Sequence, residues 1–296
     1  MPLAGEAAAL LTACCWATVS LLFTTASRRV GAFTVNVTRI TLALPLLGLL
    51  VWWTQPAGWH EHLDPRSLGL LAASGWLGLT LGDWALFSAF ALIGPRLATV
   101  MMTLTPPLAA LLAVPLLGEH LAWGGILGMA VTLGGVAWVV LERAPVPIAR
   151  GHRLLGGFLA FLGAAGQAAG LVLSKLGMGD SVDPVPATLI RMIAAALGVW
   201  AIAAARDHLA SPLVLLRNRA ALAATVGATV LGPVIGVSLS LVAVRLTDAG
   251  IAATLMAPVP VFVLPLVRIV YGERISPRAL LGGMVAVAGV AVLLLR

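Results

Sequence analysis

Charge is what this 296-residue sequence has least of. Asp, Glu, Lys and Arg together make up 10% of it, against about 25% in a typical water-soluble domain. Hydrophobic residues make up 60%, more apolar surface than a chain of this length can bury in a core of its own. Lysine is all but missing, since every cation except Lys175 is an arginine. Cysteine is as scarce: Cys14 and Cys15 are adjacent inside one apolar run, which excludes a disulfide framework and any CxxC or Cys/His metal spacing. His60, His62, His120, His152 and His208 all fall in or beside expected connections. With no HExxH helix, no Ser/His pair and no two acids in one apolar run, no catalytic residue, metal or cofactor is expected. No phosphate-binding glycine loop follows a strand, which excludes an ATPase domain. The net charge of +7 sits on arginines placed singly or in pairs between apolar runs. That pattern lacks the continuous basic face of a nucleic-acid binder and suits loop charges that orient membrane helices.

What is present is long apolar runs. A spanning helix needs roughly 20 mostly apolar residues. Cuts at Pro, Gly and charge clusters give spans near 4–26, 33–53, 67–92, 97–116, 121–141, 153–177, 186–205, 219–243, 249–271 and 277–295. The fold class expected is therefore all-α and polytopic, with about ten transmembrane helices. The first run, Leu3–Ala26, has no basic region before it and is too long for a signal-peptide core, so it reads as a retained span. Residues 145–152, with Pro145 and Pro147, read as a linker between a first unit, 1–144, and a second, 153–296.

The two units are related. A shift of 154 aligns Gly78 with Gly232, Gly82 with Gly236, Met102 with Met256, Pro106 with Pro260 and Gly118–Glu119 with Gly272–Glu273. Nearer the start of each unit a shift of 152 pairs Arg39 with Arg191. Five helices per repeat is an odd number, so the second repeat must enter the membrane from the opposite side. Inverted repeats recur in secondary transporters, with the solute site at the repeat interface.

Trp16, Thr38–Arg39, Leu104–Glu119, Gly124–Leu141, Arg191, Pro258–Glu273 and Gly282–Leu295 carry a family likeness. The pattern resembles the ten-helix drug/metabolite transporter superfamily, in the group with two EamA-type repeats, over nearly the whole chain. The resemblance implies carriage of small metabolites across the cell's inner membrane, with both termini cytoplasmic. The second half departs from it with Ala168 where the first has Trp16. The arginines point the other way on orientation. Arg28, Arg29, Arg96, Arg143, Arg150, Arg153, Arg206, Arg217, Arg219, Arg274 and Arg278 fall on the side opposite the termini, against Arg66, Lys175, Arg245 and Arg296 on the termini's side, and the positive-inside rule would make the first side cytoplasmic.

Charge at membrane depth costs at least about 2.5–3.5 kcal/mol at a helix centre, which singles out a few residues. Asp83 lies roughly 14 Å and Arg39 roughly 9 Å from the same membrane face at 1.5 Å per residue, so they are expected inside the bundle as a direct or water-bridged pair. Asp83 can hold Arg39, contact a substrate amine or carry a proton, which makes protons a possible coupling ion. The second half has Arg191 but Val237 at the position aligned with Asp83, which leaves Arg191 to bind a substrate carboxylate or to pair with Asp180 or Asp183. Pro106–Pro107 and Pro258 with Pro260 break corresponding helices, a gating bend or a packing bend beside Thr105 and Met256. Trp16, Ser20, Trp84, Phe87, Gln167 and Ser238 complete the expected substrate-binding set. Lys175 and Arg268 read as snorkelling, and Glu119 and Glu273 as helix-end residues. The function expected is secondary export of a small metabolite such as an amino acid. A lipid scramblase, another non-transport membrane protein or an intramembrane enzyme are the alternatives.

Overall fold

The computed structural model describes residues 3–55, 59–120, 122–141, 150–206, 211–271 and 276–294. Glu273 and most of the expected linker lie outside them. All regular structure among the described residues is helical, as apolar runs require when no water is at hand to satisfy the backbone. In chain order the helices are α1 (Ala4–Val30), α2 (Ala32–Thr54), α3 (Pro65–Gly75), α4 (Asp83–Met102), α5 (Thr105–Leu117), α6 (Trp123–Leu141), α7 (Arg150–Met178), α8 (Pro184–Ala205), α9 (Ser211–Leu216), α10 (Arg219–Thr229), α11 (Val237–Leu246), α12 (Ala249–Met256), α13 (Val259–Tyr271) and α14 (Pro277–Leu294). Six helical stretches among the described residues are long and apolar enough to cross a membrane, and four shorter apolar ones accompany them. Helix starts follow local chemistry. Asp64 caps α3 by accepting from the Ser67 N–H at 2.6 Å, and the Ser67 hydroxyl together with this N–H holds its carboxyl below the usual carboxylate range.

The repeat is visible in local geometry. Trp76–Gly82, between α3 and α4, and Val230–Gly236, between α10 and α11, are both π-helical. They are related by the shift of 154, as are α3 and α10, and α5 and α13. The expected break between 92 and 97 is not found: helical geometry runs through Asp83–Met102 and stops at Thr103–Leu104. The interruption falls there because Pro106 and Pro107 have no N–H to extend a helix behind them and suit its first positions. The second half breaks at the matching Ala257–Pro258 and additionally at Thr247–Asp248.

The halves interlock. Along α7, Gly156 meets Ile93, Gly163 meets Leu86, Gly170 meets Gly78 and Gly177 meets Leu71, so α7 runs antiparallel to α3–α4. Along α1, Gly5 meets Leu246 and Leu22 meets Gly227, the same arrangement with the halves exchanged. Equivalent helices α6 and α14 also run antiparallel, with Gly135 against Ala286 and Gly289 against Thr132. Antiparallel equivalents are what inversion of one unit relative to the other requires. A Cβ at Gly135 would collide with the α14 backbone, so glycine sets the closeness of that crossing. Trp52 and Trp53, 80% and 83% exposed, stand at the outer end of α2 where an interfacial belt belongs.

Candidate functional site

The polar centre is assembled from both halves. Helix α2 carries Asn36 and Arg39 one turn apart, and α4 begins with Asp83, straight after the first π segment. The wider π turn sends the Asp83 N–H back to the Gly78 carbonyl, the Val237 N–H making the same bond to Gly232 in the second half. π turns of this kind recur at functional sites. From α7, Gln167 Nε2 donates to Asp83 Oδ1 at 2.9 Å and to the Gly78 carbonyl at 3.3 Å.

Arg39 and Asp83 form a direct ion pair, Nη2 to Oδ2 at 2.7 Å. Arg39 Nε donates to Asn36 Oδ1 at 2.8 Å. Both residues are buried, Arg39 at 5% and Asp83 at 6% exposure. A buried ion pair is sustained only when further hydrogen bonds satisfy the remaining polar atoms, and Asn36 and Gln167 supply them. Phe23 and Phe87 stack at 5.3 Å, and the Arg39 guanidinium lies 5.6 and 5.9 Å from their rings. The charge is thus packed against aromatic faces.

Arg191 on α8 is 4% exposed. It pairs with neither Asp180 nor Asp183, because Asp183 lies at the helix end and is taken by Arg245 at 2.7 Å. Arg245 also donates to the Asp180 carbonyl. The Arg191 guanidinium instead lies against Gly78, near enough for its charge to act on Asp83. Its Nε has no hydrogen-bond partner among the described residues. The centre therefore holds two buried cations and one buried anion.

The other expected residues are more scattered. Trp16 packs into the cluster of Ile40, Met192 and Val237 and against Gly232. Ser20 donates to the Ala17 carbonyl of its own helix. Trp84 takes the Arg206 guanidinium over its ring at 5.8 Å. The hydroxyls of Thr105 and Ser238 are buried without a partner among the described residues. Met256 packs on the cluster of Leu241, Ile251 and Leu255. Pro106 and Pro258 are buried, Pro107 is half-buried, and the Pro260 side chain lies outside what is described.

Asn36 and Phe23 were not singled out by sequence, although Asn36 is three residues before Arg39 and Phe23 seven after Trp16, each on the corresponding helix face. Lys175 does not snorkel. Its ammonium is tied to Glu119 Oε1 at 2.6 Å and to the Thr247 carbonyl at 2.7 Å, while Glu119 Oε2 accepts the Ala249 N–H at 2.8 Å. Partners on three helix ends outcompete water for it. These bonds tie α5, α7 and the α11–α12 turn together at one membrane face.

The sequence model of the EamA-like transporter family matches the chain twice, over residues 3–141 and 154–295. A protein of known crystal structure superposes with a TM-score of 0.79 at 19% identity, over 99% of this chain and 96% of the other, which shows the fold alone. No curated protein matches significantly.

Proposed function

The chain belongs to the EamA-like transporter family, and from that premise we propose that this multi-pass membrane protein is a secondary transporter. In this reading it exports a small metabolite such as an amino acid by alternating access around Arg39, Asp83, Gln167 and Arg191. The observation that carries it is the buried Arg39–Asp83 pair at the crossing of two inverted halves. Ionisable groups inside a membrane protein are expensive and mark solute or ion pathways. The proline breaks before α5 and α13 add support, since freed backbone in a membrane must face protein or a wet space. Asp83 is the group on which proton coupling would turn, because taking up a proton would release Arg39.

Alternating access needs one face closed while the other is open. The Glu119–Lys175–Ala249 bridge, with Arg245–Asp183 beside it, is the closed face of this reading. At the equivalent sequence positions on the opposite face stand Phe23 for Lys175 and Pro95 for Ala249. Phe has no charge to offer and Pro no N–H, so that face cannot build the same bridge.

Purified protein in proteoliposomes, tested with a radiolabelled amino-acid and metabolite panel, should show saturable flux that Asp83→Asn removes. Absence of saturable flux for every cargo class, or lipid translocation in its place, would overturn the proposal.

A further inference from the structure

Resting on that transport reading, we propose that the central site takes a solute carboxylate, held through Arg191, and that Asp83 is not the receptor for a solute amine. Both Asp83 oxygens are already engaged inside the protein, each by a short bond from a neighbouring side chain. Oδ2 accepts from Arg39 and Oδ1 from Gln167. Arg39 has its charge matched, with its Nε on Asn36 and its Nη2 on Asp83.

Arg191 is the group left over. It is as deeply buried as Arg39, and its Nε donor has no acceptor among the described residues. A buried charged donor without a partner is costly to keep. The fold's own symmetry says what is missing. Arg191 occupies the place of Arg39, and the position equivalent to Asp83 is Val237, which shares a buried cluster with Met192, the residue after Arg191. A carboxylate brought in by the solute does for Arg191 what Asp83 does for Arg39. Ser238, next in the chain to Val237, adds a second buried donor in this half with no partner among the described residues, and we assign it to the same carboxylate.

Charge selects the kind of anion. Two arginines against one aspartate leave one positive charge in the centre. A carboxylate cancels it, whereas a phosphate monoester would leave up to one net negative charge buried. Arginine also meets a carboxylate through paired, parallel N–H bonds, and these are strongest where water is excluded.

The test uses matched probes on the purified full-length protein. Thermal unfolding is followed with leucine against leucinamide, phenylacetate against phenylacetamide, and inorganic phosphate. The carboxylates should stabilise the wild type and the amides should not. Arg191→Gln should weaken carboxylate binding roughly a hundredfold, as expected for losing one partner of a buried charge pair. Arg191→Lys should fall between, and Arg217→Gln, an exposed arginine in a turn, should change nothing. Val237→Asp keeps Arg191 but hands it an internal acid, and should abolish carboxylate binding even if Arg191→Gln fails to fold. Amides binding as well as carboxylates, phosphate preferred over both, no carboxylate binding at all, or full carboxylate binding in Val237→Asp would each overturn the inference. Flux on the same preparations separates the two claims. Carboxylate binding without flux removes the transport reading and leaves Arg191's role standing; flux of an uncharged cargo that Arg191→Gln leaves intact does the reverse.

Discussion

The two halves of this chain share a backbone and differ in chemistry. Both carry a seven-residue π segment, a helix with proline in or just before its first turn, and an arginine at equivalent places. Only the first has an acid after the π segment, and only in the first does an asparagine precede the arginine by a turn, where the second has Thr188. The backbone was free to stay symmetric because helix crossings depend on small residues at fixed spacing. The polar centre was not, because two Arg–Asp pairs would bury four charges where three already need Asn36 and Gln167 to satisfy them. One acid facing two arginines is what gives the centre its net charge.

The sharpest way to break that contrast is to remove the acid. Asp83→Ala leaves Arg39 and Arg191 buried with no counter-charge, and should destabilise the protein by about 3–5 kcal/mol, read by denaturant or thermal unfolding in detergent. Adding Val237→Asp should restore a substantial part of the loss by moving the acid to the other half. If Asp83→Ala unfolds like the wild type, the pair is a surface-like contact and the asymmetry has no energetic meaning.

A second difference is closeness. At Gly75 of α3 an added Cβ would collide with the Arg191 backbone carbonyl, whereas the equivalent residue on α10 is Thr229, whose hydroxyl bonds to Thr225 within its own helix. Gly75→Ala should therefore cost about 1–3 kcal/mol through forced separation of α3 and α8. Thr229→Ala should cost about 1 kcal/mol or less. Equal losses at the two positions would mean that the two crossings are equally close after all.

How much of this was legible in the sequence follows from what each feature depends on. The Arg39–Asp83 pair could be found because intramembrane charge is rare and helical rise fixes depth. The inverted repeat could be found because Pro and Gly-Glu pairs recur at one offset. The interruption beside Pro106–Pro107 was legible because proline cannot extend a helix behind it, whereas the break expected at Gly94–Pro95 failed because the helix runs through that pair. Lys175 was misplaced because snorkelling is a property of one residue, whereas its partners Glu119 and Thr247 are 56 and 72 residues distant. Arg191 was sought beside acids of its own half, a local rule that fails when the two halves share one Asp83. Asn36 and Phe23 carry no signal alone, and only the arginine between them makes them part of the centre.

The faces of the membrane differ as the halves do. Glu119→Gln leaves a bond acceptor but removes the charge that Lys175 and the Ala249 N–H both use. Opening of the α12 start should then be easier by about 1 kcal/mol, seen as roughly fivefold faster hydrogen exchange at the Ala249 amide. Exchange there should be unaffected by Arg268→Gln, an exposed arginine on α13. Unchanged exchange in Glu119→Gln would show that the bridge does not hold that face shut.

The smallest expected effect is the most diagnostic of the comparison between Trp84 and Ser238, which stand at equivalent positions one residue after Asp83 and Val237. The Ser238 hydroxyl is buried with no partner among the described residues, so in the empty protein Ser238→Ala removes a polar group that is gaining nothing. Replacing such a group by an apolar one is close to neutral, within about 0.5 kcal/mol. With a carboxylate bound the same hydroxyl gains an acceptor, and its loss should weaken binding by roughly threefold to tenfold, the net worth of one hydrogen bond. Thr105→Val serves as the control: its hydroxyl is also buried without a partner among the described residues, but it lies on α5 in the first half and is not a chain neighbour of Val237. If Ser238→Ala and Thr105→Val alter carboxylate binding alike, the solute is not held at the second half's vacant acid position, because a ligand seated there has reason to distinguish the two.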